Sequence, residues 1–128
     1  MENHESREDY LERILMLSEN GHKAVHAVDV ALSMGFSKPS VSIAVKKLVE
    51  EKFVSVGSSS ELYLTPSGLE IASKIYERHL ILGEVLKGFG VSPEIAYRDA
   101  CKIEHDLSDE SWQALKAHYL EHKNDRIK

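Results

Sequence analysis

The chain has 128 residues, one cysteine, 42% apolar and 29% charged residues, and a net charge of −5. That length accommodates one compact domain or two small ones sharing a core, and the ordinary apolar and charged fractions exclude wholesale disorder. No apolar run approaches the ~18 residues of a membrane span. The polar start, Met1 to Glu8, predicts no secretory signal, and a single cysteine excludes an internal disulfide framework and fits a reducing cytoplasm.

An acidic total argues, on its face, against a nucleic-acid partner. Its distribution changes that reading. Residues 1 to 20 carry six acids against Arg7 and Arg13, net −4, and residues 94 to 110 again sum to −4. Residues 37 to 53, by contrast, set Lys38, Lys46, Lys47 and Lys52 against Glu50 and Glu51, net +2. The acid lies in two blocks, apart from a basic segment.

The first block predicts a helix capped by Ser6, with Leu11, Ile14 and Leu15 inward, stopped at Asn20-Gly21. A second, short helix is expected from about Val25 to Met34, with Ala27, Val30, Ala31 and Met34 inward, broken by Gly35-Phe36-Ser37. A third begins at Lys38-Pro39, where proline is tolerated in the first turn. It carries Val41, Ala44, Val45 and Leu48 on one face and ends near Lys52. Two alternating stretches, Phe53 to Val56 and Glu61 to Leu64, flank the small-residue turn Gly57 to Ser60 and predict a β-hairpin. Three helices followed by a hairpin is the order of a winged helix-turn-helix.

Thr65-Pro66 opens a long helix as N-cap and first residue, with Ala72, Ile75, Tyr76, His79, Gly83 and Leu86 as its stripe, stopping at Gly88 to Gly90. Ser92-Pro93 starts another, with Ala96, Ala100, Ile103 and Leu107. Ser108-Asp109-Glu110 caps a last helix with Trp112, Leu115 and Tyr119, and the polar tail from Glu121 is expected to fray. The fold class is thus mainly α. Residues 1–65 read as the winged helix-turn-helix and 66–128 as an all-helical domain, which would bury its apolar faces better by docking or by pairing with a second chain.

In a helix-turn-helix, the start of the second helix of the pair meets base edges in the major groove. Here that start is Ser37, Lys38, Pro39, Ser40, Ser42 and Ile43. Small hydroxyls and helix N-terminal amides suit phosphate contact, and Lys46 and Lys47 would meet the backbone as point charges. The bland alternative, a solvated helix face with a serine-rich start, stays open on composition alone.

Three places put nitrogen, oxygen or sulfur ligands on one helix face. Asp9 and Glu12 stand at i and i+3; Cys101, Glu104 and His105 at i, i+3 and i+4; and His79 lies on the inward stripe of the long helix. Mixed carboxylate, imidazole and thiolate suits a first-row transition metal, whereas calcium wants oxygens. Each has a structural alternative: Asp9 as an acid in a first turn, Glu12 on a solvated face, His79 as a hydrogen-bonded core histidine, Cys101 as a small buried hydrophobe, and Glu104 with His105 as surface decoration. An enzyme is not expected: there is no His-Glu-x-x-His motif, nucleophile–base pair or phosphate loop.

These residues resemble the diphtheria toxin repressor family of metal-dependent repressors, including the manganese transport regulators. The match runs through Glu8-Asp9-Tyr10-Leu11-Glu12, Lys38-Pro39-Ser40-Val41-Ser42, Leu64-Thr65-Pro66-Ser67-Gly68, Glu77-Arg78-His79 and Asp99-Ala100-Cys101-Lys102-Ile103-Glu104-His105. The last, with its Cys-x-x-Glu-His, is the most specific. The resemblance implies a winged helix-turn-helix followed by a helical dimerisation and metal-binding domain, as in the family's shorter members. It implies a repressor that binds a palindromic double-stranded DNA operator as a homodimer with Mn2+ or Fe2+ as corepressor. Asp9, Glu12, His79, Glu104 and His105 match ligand positions of the manganese-responsive branch. Cys101 matches a position that is a carboxylate in that branch and a cysteine in the iron-responsive one, and Asp9 stands where the iron branch carries methionine. Tyr97 and Gly83 stand where that branch's ancillary ligands would be expected, with Glu84 adjacent. On this reading a divalent cation ties the two halves together, fixing recognition helices to half-sites about one helical turn, ~34 Å, apart. The alternative is a winged-helix regulator with no metal requirement.

Overall fold

The computed structural model describes the backbone of residues 4–20 and 24–127. Six helices and a two-stranded sheet occur among them, in the order α1 (His4–Glu19), α2 (Ala27–Met34), α3 (Lys38–Glu50), β1 (Val54–Val56), β2 (Leu62–Leu64), α4 (Pro66–Gly88), α5 (Pro93–Ile103) and α6 (Asp109–Ile127). The chain divides into two compact units, Met1–Lys74 and Ile75–Lys128. None of the described helices is long and apolar enough to cross a membrane.

In the first unit, Leu11, Ile14, Val30, Ala31, Val41, Val45 and Leu48 are buried, so the apolar stripes of α1, α2 and α3 face a common core. The fold is a winged helix-turn-helix. Ser37 caps α3: its hydroxyl accepts from the Ser40 N–H at 3.3 Å and donates to Ser40 Oγ at 2.9 Å. Pro39 in the first turn costs no intrahelical bond. α3 ends at Glu50, and Lys52 takes a left-handed conformation (φ 69°) that turns the chain into β1.

β1 and β2 pair antiparallel, with Val54 opposite Leu64 and Val56 opposite Leu62. The turn closes through the Gly57 N–H to the Glu61 carbonyl at 2.8 Å. Leu62 also donates to the Val25 carbonyl at 2.7 Å. Val25 is therefore an isolated β-bridge partner, buried beside the hairpin, and α2 starts two residues later than the sequence suggests. His26 takes the N-cap, its N–H bonded to the Asp29 carboxylate at 2.8 Å. Ala27 and Met34, expected inward, are half-buried, as is Ala44.

One further expectation needs correction. α1 begins at His4, so Ser6 lies inside the helix rather than capping it. At its other end Asn20 follows the last helical residue, while Gly21 lies outside the described residues. α6 is helical past Glu121 as far as Ile127.

Thr65 caps α4 as expected. Its hydroxyl accepts from the Gly68 N–H at 3.1 Å and donates to the Lys52 carbonyl at 2.7 Å. In the second unit, Ile75, Ile81, Leu82, Ala96, Ala100 and Trp112 are buried, whereas Ile103, Leu107, Leu115 and Tyr119 are only half-buried. Ser108 caps α6, accepting from the Ser111 N–H at 3.1 Å.

Candidate metal centre and nucleic-acid interface

The second unit brings ligand-type side chains together through a helical hairpin. Side-chain contacts pair Glu84 with Tyr97, His79 with Cys101 and Arg78 with Glu104, the pattern of antiparallel α4 and α5. Glu104 is not helical by pattern: α5 ends at Ile103. Glu104 nevertheless keeps helical dihedrals (φ −58°, ψ −26°) and bonds back to the Ala100 carbonyl at 3.0 Å. The helical register therefore runs one residue past the helix and carries Glu104 onto the face of Cys101.

His79 Nδ1 lies 3.4 Å from Glu104 Oε2 and 3.5 Å from Cys101 Sγ. The other carboxylate oxygen of Glu104 lies 3.6 Å from His105 Nε2. Glu104 is fully buried, and the side chains of His79 and His105 are 6% and 3% exposed. A carboxyl group taken fully out of water must either take up a proton or be countered by positive charge close by. Two imidazoles at ion-pair distance, when protonated, or a cation in their place meet that need. One atom each from His79, Cys101 and Glu104 falls within a 4.8 Å cluster, a nitrogen, sulfur and oxygen set that fits a first-row transition ion and not calcium. In the first unit, Asp9 and Glu12 share a face of α1, Glu12 buried and Asp9 half-buried.

Arg78 holds the turn that carries Glu104 and His105. Its guanidinium donates to the carbonyls of Glu104 (3.2 Å) and Leu107 (3.3 Å) and to the Asp109 carboxylate (2.8 Å), and it stacks on Trp112. Nothing in the spacing around Arg78 points to this role. Its one visible signal was a lone arginine next to His79. Tyr97 is no ligand candidate. Its hydroxyl donates to Glu84 at 2.5 Å, which together with burial pushes the phenol pKa above its ordinary value.

The recognition-helix surface belongs to the first unit. Ser37, Lys38, Pro39, Ser40, Ser42 and Lys46 are exposed, Lys47 is half-buried, and Ile43 is 70% exposed. The expected amide contribution is narrower than the sequence implies. Pro39 has no N–H, and that of Ser40 is taken by Ser37. Lysines and hydroxyls make up the rest. A shallow groove of about 360 Å³ runs between α3 and the hairpin, lined by Ser42, Val45, Lys46, Val49, Val56 and Ser60 among others. In the wing, Glu61 accepts from the Ser59 N–H at 2.7 Å and from the Tyr63 hydroxyl at 3.1 Å.

Two family models match the chain. Residues 3–61 match the iron-dependent repressor N-terminal DNA-binding domain, and residues 65–125 match the iron-dependent repressor metal-binding and dimerisation domain. The transcriptional regulator MntR of Salmonella typhimurium is 37% identical over 116 residues, covering 90% of this chain and 73% of that protein. This chain belongs to the diphtheria toxin repressor family of iron-dependent repressors.

Other family members agree. An HTH-type transcriptional regulator of Methanocaldococcus jannaschii is 32% identical over 96% of this chain and 98% of its own length. Among solved structures, a manganese-dependent transcriptional repressor in complex with manganese superposes with a TM-score of 0.79 at 26% identity, and the manganese regulator SloR with 0.73 at 32%. Each covers 88% of this chain, which spans only about half of theirs, 51% and 52%.

Proposed function

We propose that this family member is a metal-dependent transcriptional repressor that senses Mn2+ or Fe2+ and binds a palindromic DNA operator as a homodimer in the cytoplasm. Residues 1–65 are its DNA-binding half and residues 66–128 its dimerisation and metal-binding half. The observation that carries this reading is the meeting of His79 Nδ1, Cys101 Sγ and the buried Glu104 carboxylate within one 4.8 Å cluster.

His79, Cys101, Glu104 and His105 are the ligands proposed from the second unit, and the family resemblance adds Asp9 and Glu12. A bound divalent cation supplies positive charge that offsets carboxylates and thiolate and favours the DNA-competent geometry. The chain's own part is to keep these donors oriented, with His79 and Glu104 buried and Arg78 pinning the turn of Glu104. Ser37, Lys38, Pro39, Ser40, Ser42, Lys46 and Lys47 form the proposed DNA surface. Manganese in the names of several relatives supports Mn2+, while the thiolate of Cys101 suits a softer ion such as Fe2+. Phe89, 75% exposed, and Leu80 and Leu120 offer apolar surface that a second copy would cover.

The test is DNA retention measured with Mn2+, Fe2+ (anaerobically), Co2+ and Zn2+. Metal-dependent binding is expected for the wild-type chain and its loss in Glu104→Ala and His105→Ala, with the folded dimer retained. DNA binding indifferent to every metal, or unchanged in both variants, would overturn the proposal.

A further inference from the structure

Two tyrosine rings pack near the His79 imidazole. Tyr76 stacks on it at 6.3 Å between centroids, with 19° between planes, and Tyr97 leans on it at 5.5 Å and 38°. Tyr76 comes from the same helix, one turn earlier. Tyr97 comes from α5 and is tied down at its far end: its hydroxyl donates to Glu84, Lys87 bonds the same carboxylate at 3.0 Å, and the Lys87 ammonium sits 5.5 Å over the Tyr97 ring. The ring fits only because residue 83 is glycine, since a Cβ there would run into the Tyr97 ring. Three residues of one helix, Gly83, Glu84 and Lys87, thus fix a phenol ring against a histidine one turn earlier.

We propose that Tyr97 is a positioning residue for His79, a proposal that rests on the metal-binding reading above. A histidine with a free χ2 presents either ring nitrogen, or neither, to its neighbours. The two rings restrict the plane of the imidazole, so that Nδ1 faces Cys101 and Glu104. The Glu84 and Lys87 bonds keep the Tyr97 ring from sliding, and Gly83 sets the clearance. Groups that orient a metal ligand by hydrogen bonding typically change metal affinity 10–100-fold without touching the metal, and the packed ring is expected to act on the same scale.

The test is anaerobic Co2+ titration followed by visible absorption, whose ligand-field bands report geometry, together with proton NMR of the His79 ring in the metal-free protein. Tyr97→Leu is expected to weaken Co2+ binding about tenfold or more, change the ligand-field spectrum and move the ring-proton shifts of His79. Tyr97→Phe, which keeps the ring, is expected to recover most of the affinity and the wild-type spectrum. Gly83→Ala, which displaces the ring, is expected to behave like Tyr97→Leu. It also serves as the second probe should the leucine variant fail to fold. Wild-type affinity and spectrum in folded Tyr97→Leu or Gly83→Ala, with binding lost in His79→Ala, would overturn the positioning role alone. Wild-type binding in His79→Ala and Glu104→Ala would overturn the site and, with it, the role of Tyr97.

Discussion

The guanidinium of Arg78 donates 3.2 Å to the backbone carbonyl of Glu104, a residue whose own side chain is fully buried against His79. One side chain thereby holds the main chain of a residue 26 positions away, and its remaining bonds, to the Leu107 carbonyl and Asp109, extend the hold to the start of α6. Carbonyls at a helix end need partners, and a planar fork serves several at once where an ammonium cannot. Arg78→Ala is expected to cost about 1.5–3 kcal/mol, the range for hydrogen bonds involving a charged group, and to loosen the turn bearing Glu104 and His105. Arg78→Lys should recover only part of it. Urea unfolding and Co2+ titration of the same variants check this, and wild-type values of both in Arg78→Ala would mean the turn is held by other contacts.

Gly68 makes the tightest approach to backbone of the described glycines in the first unit. A Cβ at this position would meet the Phe53 carbonyl oxygen, which also accepts the Thr65 N–H at 3.1 Å. The start of α4 is thus laced to the residue before β1, and Thr65 adds its hydroxyl bond to Lys52. Gly68→Ala should destabilise by about 1–3 kcal/mol, as overpacking of a rigid contact does. Ser67→Ala, one residue earlier and exposed, should stay within about 0.5 kcal/mol of wild type. Equal melting curves for the two variants would mean that the Phe53 backbone yields at little cost.

What could be read from sequence follows from how local each signal is. The start of α3 was legible because Pro39 acts within the first turn, and its core face because Val41, Val45 and Leu48 keep one helical phase; in sequence Ser37 reads as a break after α2 and not as a cap. Thr65-Pro66 was legible for the same reason. Val25 was misplaced because its β-bridge depends on Leu62, 37 positions later, and an apolar residue before a helix looks like part of it. The Ser6 cap failed because the helix extends past a good local stop. In the candidate site, the spacing of Cys101 and Glu104 gave their common face, but the approach of His79 requires the α4–α5 hairpin. Arg78 had no signature beyond its place beside His79, and the anchoring of Tyr97 had none, since both act through partners distant in the chain.

The wing carries a pH-sensitive contact. Hydrogen bonds from the backbone N–H groups of Glu61 and Ser59 hold the Glu61 carboxyl below the usual 4.5, and the Tyr63 hydroxyl, donating to the same carboxylate, is pushed above 10. A carboxyl whose folded pKa is lowered contributes stability that is present above its unfolded pKa and lost as pH falls through the folded one. The wing should therefore keep its structure at neutral pH and loosen only below the ordinary glutamate range. NMR titration should place the Glu61 midpoint below 4.5, with the Ser59 amide following the same curve. Glu61→Gln should abolish that coupled titration, and a Glu61 midpoint at or above the ordinary value would mean that the turn bonds do not persist in solution.

The proposed DNA surface separates two kinds of residue, and salt dependence distinguishes them. Lys46 is exposed on α3 beside the groove, where an ammonium can reach a phosphate but reads no base. Ile43, 70% exposed on the same helix, carries no charge and suits apolar contact such as a thymine methyl. If Lys46 neutralises one phosphate, its loss returns one counterion site to the duplex. Lys46→Ala should then weaken binding to all sequences alike and reduce the slope of log K against log salt by about 1. Ile43→Ala should leave that slope unchanged and narrow the gap between operator and unrelated DNA, by about 1–3 kcal/mol if it reads one base pair. Fluorescence anisotropy with one duplex of each kind, over a salt series at saturating Mn2+, measures both quantities. A slope change in Ile43→Ala, or a loss of discrimination in Lys46→Ala, would exchange the two roles and shift the groove-facing edge of α3 toward the bases.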